Sequence, residues 1–278
     1  MVPCTDRRPR AHDSRPTTHD HTGVRDMSTA AKQGGVVDRE AAIRAYHDNR
    51  ARTEQLFAML DDDAYYEQPI PLRHPVVFYE GHIPAFAVNC LLKRGLGHPG
   101  IDAELEQLFA RGIDPSDQAA AEQSAISHWP TRHDVQAYVR TADDAVVEAI
   151  RTAEVEGDAN GVVYRGQGVF TALEHEVMHQ ETLLYMWHRF APERKTQGDA
   201  APSPTQGTPP TRRMIHVPAG RATLGAEVEA VPFGWDNEFP TLVTDVPAFE
   251  IDEHDVTNQT SWSSSRLAGT ACRSSGHR

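Results

Sequence analysis

From Arg39 onward, side chains that favour burial recur every three or four residues. Ile43, Tyr46, Arg50, Thr53, Phe57 and Leu60 fall on one helical stripe, which Leu56 widens. Asp61 to Pro75, broken by Pro69, Pro71 and Pro75, reads as a loop. Residues 76–93 are the most apolar stretch of the chain and predict a buried helix, kinked where Pro84 cannot donate to the carbonyl of Glu80. Thr131 with Asp134 predicts a capped helix start, after which Val135, Tyr138, Val139, Ala142, Val146, Ala149, Ile150 and Ala153 mark one face. A fourth long helix is expected from about Val169 to Phe190. Four amphipathic helices predict a four-helix bundle, an architecture whose facing side chains often build metal sites.

After the fourth helix the pattern changes. Pro192 to Arg213 holds five prolines and no Val, Ile or Leu, which predicts a linker. Met214 to Asn258 alternates short apolar segments with Gly and Pro, predicting β or irregular structure, and Arg221 is its only Lys or Arg. Gln259 to Arg278 has six serines, no acidic residue and no apolar period. At the other end, residues 1–38 show no apolar period either and read as a disordered leader with Met1 or Met27 as the start, in which His12, His19 and His21 are solvated rather than holders of adventitious metal. The expected organisation is therefore an α+β chain. It comprises the leader (1–38), a helical bundle (39–195), a Pro-rich linker (196–213), the beginning of a β-domain (214–258) and an unrelated disordered tail (259–278).

Composition narrows the function. A formal net charge of −13 argues against a protein that tracks nucleic-acid phosphates. No apolar run approaches the roughly 20 residues that span a bilayer, and the start has no apolar core of a secretory signal. The three cysteines, Cys4, Cys90 and Cys272, are far apart and odd in number, so no disulfide framework is expected and a reducing cytoplasm is the natural location.

The chemistry concentrates in the fourth helix, in ALEHEVMHQETLLYMWH. His175 and His179, one turn apart, project about 40° from each other on one face and can share one ion. Thr171, Ala172, Thr182 and Met186 flank them and leave space for it. The bland alternative is a pair of core or surface histidines. A third ligand must come from elsewhere: His82 is the choice, because an unpaired imidazole in the most apolar helix is costly. His74, His47 and His188, in a loop or at helix ends, are weaker rivals. Glu181 lies about 140° around the helix from the histidine pair, which makes it a second-shell orienter or a surface ion-pair partner rather than a ligand. The run HEVMH also matches the zinc-protease pattern, with Glu176 as the base. The extended form of that pattern fails, because Thr182 and Tyr185 stand where its Gly and third His belong. Glu193 and Glu227 are remote candidates for a carboxylate ligand.

The run EHEVMHQETLLYM, the segment QPIPLRHPVVFYEGHIPAF and the later VPAGRATLG, PFGWDNEFP and VPAFEIDEHDVTN together resemble the ergothioneine and ovothiol type of sulfoxide synthase, with the selenoneine synthases as close relatives. The resemblance covers about residues 39–258. It implies a DinB-like four-helix bundle followed by a formylglycine-generating-enzyme-like (C-type-lectin-related) domain. Carried over position by position, the iron-binding histidines fall on His82, His175 and His179, and the glutamate of the motif on Glu181. The implied cofactor is Fe(II). The implied chemistry is an oxidative bond from sulfur or selenium to the imidazole carbon of hercynine or histidine, using a thiol or selenol donor and O2. The resemblance stops at Asn258, short of the region that would carry the family's active-site tyrosine, so no catalytic side chain is assigned. The expectation is an enzyme crippled by an incomplete second domain. The alternatives are a metal-binding bundle without catalysis and, behind it, a zinc hydrolase using HEVMH. The donor, the acceptor and the oligomeric state stay open.

Overall fold

A computed structural model of the chain describes residues 31–32, 36–110, 128–157, 160–196, 207–208 and 210–264. Contacts divide it into two units, Met1–Gly198 with Ala226–Phe239, and Asp199–Gly225 with Pro240–Arg278.

The first unit is helical. Its first helix, α1 (Arg39–Phe57), starts at Asp38, whose carboxylate accepts the amide hydrogen of Ala41 at 3.1 Å and so satisfies one of the unpaired donors of the first turn. It buries Ile43, Tyr46, Arg50, Thr53, Leu56 and Phe57, the stripe read from the sequence. The loop after it contains a single 3-10 turn, Asp62–Tyr66, that seats Tyr65 in the core. Helix α2 (Val76–Ala87) carries Pro84 in its interior. It runs on into a π-helical segment, Val88–Gly95, at whose end the amide of Leu96 reaches back to the carbonyl of Leu91 at 3.0 Å. Pro84 removes one hydrogen bond and crowds the carbonyl of Glu80.

A short helix that the periodicity did not show, α3 (Ala103–Phe109), follows. Its seven residues bury only Glu106 and Phe109, too few to mark a face. Asp102 caps it, accepting from the amides of Glu104 and Leu105 at 3.0 Å each. The capped start at Thr131 opens α4 (Arg132–Thr152), with the Thr131 hydroxyl accepting from the Asp134 amide at 3.2 Å. The last helix, α5 (Gln167–Trp187), begins two residues before and ends three residues before the expected bounds. The core is one apolar cluster drawn from all five helices, including Tyr46, Phe78, Leu91, Phe109, Ile150, Leu173 and Met186. Fully burying each such side chain contributes about 1.5–3 kcal/mol.

Order begins before residue 39. Strands β1 (Ala31–Lys32) and β2 (Val36–Val37) pair antiparallel inside the stretch expected as a leader. The buried Val37 explains this: it packs on Gly166, where φ is +72° and a Cβ would lie 2.2 Å from Val37 Cγ2. Residues 1–30 and 33–35 of that leader, 197–206 and 209 of the linker, and 265–278 of the tail lie outside the described residues. The loop 226–239 also belongs to the helical unit. It is closed by the Ala226 amide on the Glu238 carbonyl at 2.9 Å. Phe233 faces Phe170, and the carbonyls of Val231 and Pro232 accept from Arg165 and Gln167 at 3.4 and 3.1 Å.

The second unit, where the beginning of a β-domain was expected, holds two antiparallel ribbons. Strand β3 (Met214–Val217) pairs with β6 (Phe249–Asp252), and β4 (Gly220–Leu224) with β5 (Leu242–Val246). Because side chains alternate along a strand, Ile215 and Val217 share a face with Ile251 and Phe249. Likewise Ala222 and Leu224 share one with Thr244 and Leu242. These apolar faces are open, with Ile251 53% and Leu242 59% exposed, and no described residue beyond Phe190 is buried. A helical turn over 258–264 starts at Thr257, whose hydroxyl accepts from the Thr260 amide at 3.2 Å, inside the stretch read as a structureless tail. Among the described residues, no helix is long and apolar enough to cross a membrane.

Candidate metal centre

Helix α5 presents His175 and His179 one turn apart, and α2, packed against it, presents His82. All three are buried. The Nε2 atom of His179 stands 3.2 Å from that of His82 and 3.1 Å from that of His175. Two nitrogens bound to one ion at about 2.0–2.2 Å, at right or tetrahedral angles, lie about 3–3.5 Å apart. Among the described residues these three form the one group of at least three His, Cys, Asp or Glu whose ligand atoms all lie within 4.8 Å of one another.

Each ring is held by a different device. The Nδ1–H of His82 donates to the carbonyl of Phe109 at 2.6 Å, and its ring stacks on Phe78 at 4.8 Å. The ring of His175 lies flat on Phe86, with centroids 3.5 Å apart and planes 8° from parallel. The ring of His179 packs against Tyr79 at 5.8 Å. The Nδ1 atoms of His175 and His179 are buried without a hydrogen-bond partner. Once neutral His82 gives its only N–H to Phe109, its Nε2 carries a bare lone pair, and a single proton on His179 Nε2 could answer only one of its two neighbours. A cation between the three nitrogens answers all of them, so the donor set fits a borderline metal such as iron or zinc.

Burial, which penalises the charged form, keeps all three imidazoles neutral. It lowers His82 to about 4, with His74 adding to the effect and the bond to Phe109 opposing it. Burial and the facing His82 lower His179 to about 3, and burial with both neighbours takes His175 well below the ordinary range. Neutral imidazoles are what a metal requires at pH 7. The consequence for stability has a definite sign. An unfolded chain takes up these protons near pH 6.5 and the folded metal-free chain does not. Stability is therefore fully present above about pH 6.5 and lost as pH falls from there toward 4, on the order of 3 kcal/mol for His82 alone. In chelator, the urea midpoint should fall steeply between pH 7 and 5, and much less in a His175→Ala/His179→Ala variant. Equal slopes in the two proteins would contradict the assignment.

The other candidates do not join the cluster. His47 and His188 are exposed. The half-buried His74 packs against Phe78 with ring centroids 4.1 Å apart, one ring further from the centre than His82. Glu193 is exposed and Glu227 lies in the 226–239 loop, neither of them in the histidine group. Thr182 and Met186 are buried on the histidine face, as expected. Glu181 is exposed, and with the Nδ1 atoms of His175 and His179 unpartnered it orients neither ring. The orienting role expected of it falls instead to Phe109 for His82 and to Phe86 for His175. Neither could be found from the sequence, because a backbone carbonyl and a stacking ring carry no motif.

Glu176, the would-be protease base, points into the core. Its carboxylate accepts from Arg50 Nη1 at 2.8 Å and from the Thr53 hydroxyl at 2.6 Å. Arg50 also donates to Asp143 at 3.1 Å, and Asp143 accepts from the Tyr46 hydroxyl at 2.8 Å. Burial opposes the charge on Arg50, but Glu176 and Asp143 hold the guanidinium protonated. A carboxylate committed in this way is not placed to activate water, which removes the ground for the zinc-hydrolase alternative.

Residues 45–183 match the DinB superfamily. Over 226 residues the chain is 29% identical to ergothioneine biosynthesis protein 1 of Neurospora crassa, covering 72% of this chain and 24% of that protein. It is 29% identical over 212 residues to hercynine oxygenase of Mycolicibacterium smegmatis, covering 75% and 46% of the two chains. To hercynine oxygenase of Mycolicibacterium thermoresistibile it is 30% identical over 230 residues, covering 80% and 47%. The chain thus spans between about a quarter and about half of the length of these relatives.

Proposed function

Since the chain belongs to the DinB superfamily, we propose that His82, His175 and His179 hold one ferrous ion. On this reading the chain is the iron-bearing part of an oxygen-dependent enzyme of the sulfoxide-synthase type, acting in the cytoplasm. The convergence of three neutral, buried imidazoles on one point of the helical core carries the proposal. When bound, Fe(II) would supply open coordination for oxidative bond formation between a thiol or selenol donor and the imidazole carbon of hercynine or histidine, with O2 as oxidant. The chain's own residues prepare that chemistry. Phe78 and Phe86 cover the outer faces of His82 and His175, excluding water from one side of the centre. The buried Arg50–Glu176 pair ties α5 to α1 within one residue of His175. The names of the two mycobacterial relatives support hercynine as the acceptor.

The test is conversion of hercynine by the iron-loaded 278-residue chain with cysteine and oxygen, read by mass spectrometry. A sulfur adduct that is absent from His179→Ala is the expected result. Tight iron binding without any adduct from cysteine, a longer thiol or a selenol donor would sink the catalytic half. It would leave a metal-binding bundle.

A further inference from the structure

We propose that α3 is a positioning element for the metal centre: Phe109, seated on Gly81, selects the tautomer of His82 and thereby makes Nε2 its ligand atom. The inference rests on the metal reading above and concerns a part of the chain that the sequence motifs do not touch.

Helix α3 is too short to hold itself together, since isolated helices below about 12–15 residues are marginal in water. It is pinned to α2 and its π-helical extension at both ends. At the first end the buried carboxylate of Glu106 accepts from Lys93 Nζ at 2.8 Å and from the amides of Ile101 and Asp102 at 2.6 and 3.1 Å. The Glu106 carbonyl accepts from Asn89 Nδ2 at 3.2 Å. Asn89 and Lys93 lie on the π-helical segment, so the widened turns after Pro84 carry the side chains that hold α3. At the other end the ring of Phe109 rests on Gly81: a Cβ there would lie 2.3 Å from the ring carbons Cε2 and Cζ. That approach brings the Phe109 carbonyl to 2.6 Å from Nδ1 of His82, the residue next to Gly81.

A carbonyl can only accept, so it fixes the proton on Nδ1 and frees the Nε2 lone pair toward His175 and His179. Neither of those rings has such a partner. His82 is thus the one ligand keyed by a hydrogen bond, and Gly81 is there because any side chain would lift Phe109 away. The device is a contact between Gly81 and Phe109 read out at an imidazole one residue further on.

The experiment uses the full chain and two readouts. The tautomer of His82 in metal-free protein is read by nitrogen-15 NMR of the imidazoles, assigned with His82→Ala. The affinity for Co(II), a spectroscopic substitute for Fe(II), is read from its visible absorption. In the wild-type chain His82 should be protonated on Nδ1 alone. Gly81→Ala should mix the tautomers and weaken Co(II) binding by about 10–100-fold, the range for loss of a partner that orients a ligand. Gly168→Ala is the control. Its Cβ would meet Val162 Cγ1 at 2.7 Å, so it strains the core comparably while leaving Phe109 alone, and Co(II) affinity should stay within about threefold of wild type. A wild-type His82 protonated on Nε2 overturns the inference even if Gly81→Ala fails to fold. So does unchanged Co(II) affinity in a folded Gly81→Ala. Absence of Co(II) binding by the wild-type chain, with the tautomer as expected, instead sinks the metal reading and leaves the positioning contact standing.

Discussion

Arg50→Ala is expected to lower the stability of the helical unit by about 3–5 kcal/mol, the effect of removing one partner from a buried ion pair. The guanidinium lies between Glu176 and Asp143 with its side chain 8% exposed, and that of Glu176 is 2% exposed. Removing it leaves one carboxylate fully enclosed and another partly so. Glu176 keeps only the Thr53 hydroxyl, and Asp143 only the Tyr46 hydroxyl. Burial already pushes the Glu176 carboxyl above its usual range against the pull of Arg50, so the variant's loss relative to the wild-type chain should shrink as pH falls and that carboxyl takes up a proton. Urea denaturation at pH 7.5 checks the size of the effect. Arg151→Ala supplies the scale, because Arg151 and Glu148 form an exposed pair at 2.9 Å with side chains 51% and 60% exposed. Such a pair contributes less than about 1 kcal/mol. Equal losses for the two variants would show that Arg50 is not enclosed as described. Replacing Arg50, Glu176 and Asp143 together by apolar residues should recover much of the loss, since the deficit lies in uncompensated charge rather than in volume.

The second large effect is at the histidines. His175→Ala and His179→Ala should each abolish stoichiometric Fe(II) binding while leaving helix content nearly unchanged. His82→Ala should do the same, and His74→Ala should not. Fold and site separate here for a physical reason. The core is built from Phe78, Leu91, Leu173, Leu183 and their neighbours, none of which is a ligand. The imidazoles sit in that core as desolvated polar groups, so deleting one exchanges packing for relief of desolvation. Circular dichroism with iron analysis of protein purified without air reads both halves. Full iron occupancy in either α5 variant would refute the ligand assignment.

What could be read in the sequence followed the strength of the periodic signal. The stripes of α1 and α4 run for several turns and name their buried residues correctly, with the Thr131 cap as a bonus. His175 and His179 were legible because a spacing of four on a helix is itself geometry. His82 was legible because an imidazole in the most apolar segment needs a partner. Helix α3 was not, since seven residues around Glu106 and Phe109 have no period, and what holds it is a set of contacts to Gly81 and His82 of α2 and to Asn89 and Lys93 of its π-helical extension. The interior role of Glu176 was hidden for a related reason. HEVMH shows a glutamate between two histidines, while the arginine that claims it lies 126 residues away in sequence, on α1. Val37 and the 226–239 loop were missed because each joins the helical unit through a few scattered contacts, Val37 at Gly166 and the loop at Arg165, Gln167 and Phe170. The ribbons show the opposite case. Their alternation was legible, but alternation says which side chains share a face and not what covers that face.

The central claim is that this chain holds one ferrous ion on three imidazoles. Anaerobic titration of the 278-residue chain with Fe(II), followed by X-ray absorption at the iron edge of the saturated protein, tests it most directly. The account predicts saturation at one ion per chain, with three nitrogen scatterers at about 2.0–2.2 Å and the outer-ring scattering characteristic of imidazole. Failure to retain iron through gel filtration, or a first shell of oxygen without imidazole scattering, would contradict it.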